Sequence, residues 1–359
     1  MTGLPRIVHL ASGREWRGGQ RQVLLLAREL RRLGLDQLVI TTAGSRLTAE
    51  LAEAGVPTRP VGWRTGLSPH ALWAAVAEAR RLPSILHAHD AHALTLAGLA
   101  SLVTRAPFVV TRRVDFPLRR QGLWTKAAAV MAISEAVRRI LIGDGIDAAR
   151  ISVVHSGIDL DRAADVRPGG IRTELGLPEA GPLAVCVAAL VGHKDHSTLL
   201  RAAARLRDRL PDLHYALAGE GDLRTELESL ARDLGVAPVI HFLGHVIEPR
   251  RLIAAGTVFV LSSSEEGLGT SVLDALALGI PVVATGAGGI PEMLEGGAGI
   301  LVAPKDSAGL AEGIAQVIGS QELRSRLAAQ GRKSVARFTD RGMATKVIQV
   351  YRSVVLERW

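Results

Sequence analysis

The sequence predicts two α/β domains, each a doubly wound sheet of parallel strands with crossover helices, facing one another across a cleft. Three observations carry this reading. The chain has 359 residues, more than a single hydrophobic core normally serves, so two domains are expected. Short apolar runs alternate with amphipathic helical patterns through both halves, as parallel strands joined by helical crossovers should. The two series are separated at 155–181 by Gly157, Pro168, Gly169, Gly170, Pro178 and Gly181, a density of chain breakers that suits an interdomain connection. The expected domains are 1–165 and 166–340, with 341–359 as a C-terminal helical segment.

In the first half, Ile7 to Leu10 reads as the first strand, followed by a loop Ser12 to Gly19 and a helix Gln20 to Leu33 with apolar Val23, Leu24, Ala27 and Leu30. Then come strand Leu38 to Ile40, helices Thr48 to Ala54 and Pro69 to Arg81, strand Ile85 to His87, helix Thr95 to Val103 and strand Phe108 to Val110. Strand Ala127 to Ile133, helix Glu135 to Ile142 and strand Ile151 to Val154 complete the set. In the second half the strands are Ala184 to Ala189, Tyr215 to Ala218, Ile240 to Phe242, Val258 to Leu261, Val282 to Ala284 and Ile300 to Val302. Its helices fall near Ser197 to Asp208, Leu223 to Leu234, Glu248 to Ala255, Ser271 to Leu278 and Ala308 to Ile318.

Composition narrows the function classes. Hydrophobic residues are 48% and charged residues 22%, the balance of a soluble, well-buried protein. No apolar run reaches the ~18 residues of a membrane span, and the N-terminus enters a strand without a basic-then-apolar leader, so a cytoplasmic protein is expected. Aromatics are 3%, too sparse for a base-stacking surface, and no nucleic-acid motif appears. The lone Cys186 lies in an apolar run and reads as a small core residue. The formal charge of +8 sits in the first half: residues 1–165 hold 22 Lys/Arg against 14 Asp/Glu, and residues 166–359 hold 21 of each. Such asymmetry points to an anionic partner, a membrane surface or a phosphorylated acceptor.

The chemistry concentrates where strands end. Glu265-Glu266-Gly267-Leu268-Gly269-Thr270 follows the run Val258 to Leu261 and opens a helix that stops at Gly279 and Pro281, with Asp274 eight positions after Glu266. A loop entering a helix N-terminus presents unpaired N–H groups and partial positive charge, which suit phosphate. Gly18-Gly19, opening a helix after the first strand, would let amides approach a phosphate or sugar closely. Lys194, just past another strand, reads either as a solvated loop lysine or as a charge that can neutralise a diphosphate leaving group without a metal. In His87-Ala88-His89-Asp90 the two histidines share one strand face, a partial metal pattern lacking a third and fourth ligand. Thr111-Arg112-Arg113 ends a strand with two guanidiniums suited to phosphate or carboxylate, or to solvent. Asp159-Leu160-Asp161 reads as a polar hinge turn rather than a metal motif.

The Glu266 to Asp274 stretch resembles the acid-seven-acid signature of family 4 glycosyltransferases, retaining enzymes of the GT-B fold. The resemblance covers nearly the whole chain and is most specific between Ala184 and Val302. It implies that Glu266 and the amides of Gly267, Leu268 and Gly269 hold donor-sugar hydroxyls, that Asp274, here Asp where the family has Glu, holds the ribose, and that Lys194 holds the diphosphate. It further implies donor contacts at Gly18, Gly19, Gly219, Glu220 and Val246, and a place for His89 beside the donor sugar as a contact or a proton carrier. The family commonly has an arginine where this chain has Ala189, so Arg112, Arg113 or a loop amide would have to compensate. By the same resemblance the last helix, Gly342 to Arg358, crosses back onto the first domain.

The expected function is therefore a retaining hexosyltransferase that moves a sugar from a nucleoside diphosphate donor to a hydroxyl, in lipopolysaccharide, capsule or glycolipid synthesis. No cofactor and no metal are expected. The expected partners are a nucleotide sugar, a lipid-linked or phosphorylated acceptor in the reach of Arg112 and Arg113, and an anionic membrane surface that would make the protein peripheral on the inner face of the cell membrane. Two alternatives stay open: a GT-B sugar-nucleotide epimerase, and a non-catalytic nucleotide-sugar sensor. The sequence does not identify the base, the sugar or the acceptor.

Overall fold

A computed structural model describes residues 4–63, 67–118 and 121–356. The chain forms two compact units, 1–157 together with 339–359, and 158–338, so the division falls before the 165/166 boundary read from the sequence. The first unit contains β1 (Arg6–Ala11), α1 (Gly18–Arg32), β2 (Gln37–Thr42), α2 (Arg46–Glu53), β3 (Thr58–Val61), α3 (Pro69–Arg81), β4 (Ser84–Ala88), α4 (Ala91–Thr104), β5 (Phe108–Arg112), β6 (Ala129–Ala132), α5 (Glu135–Gly143) and β7 (Ile151–Val153). The second contains α6 (Leu160–Ala164), α7 (Ile171–Glu174), β8 (Leu183–Val187), α8 (His196–Leu206), β9 (His214–Ala218), α9 (Arg224–Asp233), β10 (Ile240–Gly244), α10 (Pro249–Ala254), β11 (Val258–Leu261) and α11 (Thr270–Leu278). It continues with β12 (Val282–Thr285), α12 (Ile290–Leu294), β13 (Ile300–Val302), α13 (Ser307–Gly319) and α14 (Gln321–Val335), after which α15 (Asp340–Leu356) belongs to the first unit.

Every pairing between the named strands is parallel, in the orders β3-β2-β1-β4-β5-β6-β7 and β10-β9-β8-β11-β12-β13. Parallel strands covered by helices on both faces read as continuous apolar runs, and β2 and β4 are buried at every position. Helix starts follow capping chemistry: Ser45, Ser68, Asp90, Ser134 and Asp195 each accept a backbone N–H of the first turn. Asp159 does the same for α6, so the segment expected to be a hinge turn is a helix N-cap.

Besides the short helices α6, α7 and α12, two elements escape a reading by hydrophobic pattern. β3, with sequence Thr-Arg-Pro-Val, is a partly exposed edge strand, a position where a strand tolerates proline. α14 buries Leu327, Gly331, Ser334 and Val335, too few large apolar groups to register as a stripe. α15 completes the first unit's core: Met343, Val347, Ile348 and Tyr351 pack with Ile7, Leu25, Leu26, Ile85 and Met131. Residues 357–359 lie outside the described residues.

Candidate active site

In an open parallel sheet the ligand crevice lies beyond the carboxyl ends of the strands, where strand order reverses. In the second unit that point falls between β8 and β11. The loops leaving these two strands carry Lys194 and Glu266, and their side chains meet in an ion pair, 17% and 12% exposed. The loops are laced together beneath it. Ser264 N–H donates to His193 O at 2.9 Å, Ser262 Oγ donates to Lys194 O at 3.2 Å, and Ser263 Oγ approaches Glu266 Oε2 at 3.4 Å. Gly289 N–H, from the turn after β12, donates to Glu266 O at 3.2 Å.

Gly267, Leu268 and Gly269 are buried in the turn that opens α11. Gly269 takes φ 85° at the N-cap of α11, a left-handed conformation that favours glycine. Asp274, one turn further, is buried and paired with Arg250 of α10, whose Nε donates to Asp274 Oδ1 at 2.8 Å. The turns after β9 and β10 are joined as well, Gly219 N–H donating to Gly244 O at 2.8 Å. A Cβ at Gly219 would lie 1.9 Å from Ala188 O, so only glycine lets this turn lie against the exit of β8. Glu220 is exposed and Val246 half-buried.

The first unit repeats the arrangement. Its order reverses between β1 and β4, and the loops there carry Ser12 to Gly19 and His89-Asp90. Asp90 accepts from Ser12 N at 2.8 Å, Ser12 Oγ at 2.6 Å and Ala93 N at 2.9 Å, fixing the β1 loop to the start of α4. Gly18 and Gly19 are the first residues of α1 rather than the end of the loop, so their amides belong to the helix N-terminus.

His89 sits in a buried cluster with His9 and His87. The His9 Nδ1 to His89 Nε2 distance is 2.9 Å, His87 bonds Tyr351 OH and Thr111 Oγ1 at 2.7 Å each, and Arg113 Nη2 donates to His89 Nδ1 at 3.2 Å. One tautomer satisfies the chain: His89 accepts from Arg113 at Nδ1, so its proton is on Nε2 and is donated to His9 Nδ1. His9 Nε2 then carries its own proton with no partner of normal geometry, Gln37 being its polar neighbour. Burial pushes the His9 pKa down to about 3 and holds His87 and His89 well below the usual imidazole range.

That corrects two expectations. His89 is a neutral, doubly bonded group rather than a proton carrier near neutral pH, because burial and the neighbouring Arg113 and histidines disfavour its cation. His9 supplies the third histidine that the sequence reading lacked: one nitrogen of each ring lies within 4.8 Å of the others. Apart from His9 Nε2, every ring nitrogen of the three already has a hydrogen-bond partner, so a cation there would have to displace Thr111, Tyr351, Arg113 or a neighbouring histidine.

The two arginines also part company. Arg112 bends back to donate to Val114 O and Phe116 O in its own loop and lies 5.4 Å from the Trp124 ring centroid. Arg113 instead reaches His89 and passes beside Gly19, whose added Cβ would lie 3.5 Å from Arg113 Cδ. Its Nε is buried without a partner, and burial lowers its pKa to about 10.

The family described as "Glycosyltransferase Family 4" matches residues 16–162, and "Glycosyl transferases group 1" matches 170–334. The chain belongs to the family 4 type of glycosyltransferases. It is 36% identical over 184 residues to the lipopolysaccharide core biosynthesis glycosyltransferase LpsE of Rhizobium meliloti, covering 51% of this chain and 53% of that protein. It is 31% identical over 229 residues to a D-inositol 3-phosphate glycosyltransferase of Corynebacterium urealyticum, covering 59% and 54%. The chain thus spans about half the length of these two relatives. The crystal structure of Anabaena HepE in complex with UDP-glucose matches at a TM-score of 0.86 and 23% identity, over 97% of this chain and 100% of that one. That likeness establishes the GT-B fold of two Rossmann-like domains.

Family membership and geometry together show what pattern reading missed. Arg250, which no motif marks, is an ion-pair partner of Asp274, the second acid. His9 was visible as a lone histidine in an apolar strand run, a signal that gains meaning only when β1 and β4 are known to be neighbours. Among the described residues, no helix is long and apolar enough to cross a membrane.

Proposed function

We propose that the protein is a retaining, metal-independent glycosyltransferase that moves a hexosyl group from a nucleoside diphosphate sugar to an acceptor hydroxyl. The observation that carries the reading is the meeting of Lys194 and Glu266 where the second sheet reverses its order, beside the N-terminus of α11. A cation and a helix N-terminus at one point suit a diphosphate whose charge grows as the glycosidic bond breaks. Lys194 neutralises that charge, while Glu266 turns from Lys194 to orient sugar hydroxyls with the Gly267 to Gly269 amides. Asp274, steadied by Arg250, accepts from the ribose, and Val246 and the Gly219-Glu220 turn border the nucleoside.

In the first unit, Gly18, Gly19 and His89 meet the donor sugar, and Arg113 rather than Arg112 is the cation available to a phosphorylated or carboxylated acceptor. Retention proceeds by front-face attack assisted by the leaving phosphate. In support, Asp90, the carboxylate next to His89, is tied to Ser12 and Ala93 and is a poor candidate nucleophile. Cell-envelope glycan synthesis is the proposed setting, in keeping with LpsE, and the basic first half suits an acceptor at an anionic surface.

The test is incubation with a panel of nucleotide sugars, with and without chelator, following nucleoside diphosphate release and product configuration. Transfer unaffected by chelator with retained configuration is expected. An inverted product would eliminate the front-face mechanism, and absence of release with every donor would leave a nucleotide-sugar sensor.

A further inference from the structure

At the edge of the first sheet opposite His89 and Arg113, where strands begin, lies an open groove of about 540 Å³. Arg6 is the first residue of β1, Thr58 and Arg59 open β3, and Trp73, Glu78 and Arg81 come from α3. Strands of five or six residues separate the two edges by roughly 17–20 Å.

Glu78 organises the groove. Its side chain is 5% exposed and holds three guanidiniums: Arg6 Nη1 at 3.1 Å on Oε2, and Arg59 Nη1 at 2.8 Å and Arg81 Nη1 at 3.5 Å on Oε1. Asp36, largely exposed, adds a second carboxylate 3.5 Å from Arg6 Nε. Three cations against one buried acid and one solvated acid leave the groove electropositive. A buried carboxylate that fixes several guanidiniums also preorganises the N–H groups they still hold outward. Among the described residues, the second Nη of Arg6 and of Arg59 makes no hydrogen bond, and Arg6 Nε is buried without one.

The groove has an apolar wall too. Trp73 is 65% exposed, an unusual position for the largest side chain, with Arg59 stacked 4.9 Å from its ring centroid. Cation stacking on one side holds the indole still while most of its surface stays open. A fixed flat ring beside forked N–H donors matches a ligand with one apolar face and one anionic group.

We infer that this groove is a second binding site, at the sheet edge opposite His89 and Arg113, for a saccharide bearing a phosphate or carboxylate, either free or as the headgroup of a lipid. The anion bridges Arg6, Arg59 and Arg81, and the C–H face of the ring lies on Trp73.

The test uses the full chain and its variants Arg59→Gln, Trp73→Ala and Trp73→Phe, each first checked for native circular dichroism. Calorimetric titration with glucose 6-phosphate, inorganic phosphate and glucose is compared with sedimentation on phosphatidylcholine vesicles with and without phosphatidylinositol. Arg59→Gln should weaken the charged ligand about tenfold, the worth of one charge-assisted contact. Trp73→Ala should weaken the phosphosugar but not inorganic phosphate, with recovery in Trp73→Phe, and Lys194→Met should leave this binding unchanged. Loss in the soluble arm identifies a free saccharide, and loss on phosphatidylinositol vesicles alone identifies a lipid headgroup; both uphold the site. Affinities of Arg59→Gln and wild type within twofold in both arms, or binding abolished by Lys194→Met, would overturn it.

Discussion

Replacing Lys194 with Met keeps the length and apolar stem of the side chain and removes only its charge. Two consequences separate cleanly. The first is structural. Breaking a fully buried ion pair costs ~3–5 kcal/mol, but Lys194 and Glu266 retain 17% and 12% exposure, so water recovers part of the loss and about 1–2 kcal/mol is expected. At about 2–4 °C per kcal/mol for a domain of this size, the unfolding midpoint should fall by roughly 2–8 °C. The second is catalytic. If Lys194 stabilises the departing diphosphate, its loss removes a preorganised charge from the transition state, and kcat should drop about 10²–10³-fold. Thermal unfolding and initial rates on the same preparation read both effects, and Lys194→Arg should recover much of the stability. Adding Glu266→Gln gives a double-mutant cycle, in which contact predicts coupling of about 0.5–3 kcal/mol. A Lys194→Met enzyme that melts lower yet turns over within threefold of wild type would refute the leaving-group role.

Three further outcomes follow from the geometry. Arg250→Leu removes the guanidinium paired with Asp274; it should raise the KM for donor with little change in kcat and lower stability by about 1–2 kcal/mol, because Arg250 keeps 18% exposure and water recovers part of the loss, as read by donor kinetics and urea unfolding. The histidine cluster should make the first unit acid-labile. His9, His87 and His89 are held neutral when folded, so below the ordinary pKa of about 6.5 the unfolded chain binds protons the folded state refuses. Stability then falls as pH falls, by about 1.4 kcal/mol per unit per histidine until the folded pKa is reached. Denaturant unfolding between pH 7 and 5 checks this, and His9→Gln should make the slope shallower by about one proton. Gly219→Ala should cost at least about 2 kcal/mol and reduce soluble yield, because its Cβ would press on the Ala188 carbonyl and backbone cannot yield as a side chain can.

Much of the architecture was legible because burial on both faces forces parallel strands into unbroken apolar runs. β1, β2, β4, β8 and β11 stand out in this way, and the breakers at 155–181 bracket the division between the units. β3 was hidden because an edge strand buries little, and α14 because only Leu327 and Val335 among its inward groups are sizeable apolar side chains. Lys194 and Glu266 were marked by the resemblance to family 4 glycosyltransferases, since a charged loop residue after a strand is by itself as readily a solvated one. Linear order alone could not say which strands become neighbours. The crossover that places β1 beside β4, and β8 beside β11, joined His9 to His89 and Lys194 to Glu266. Tertiary packing likewise turned Arg112 onto its own loop, left Arg113 on His89 and gave Asp274 its arginine. Those partnerships depend on side-chain reach across separate elements, and burial then determined which histidines could hold a charge.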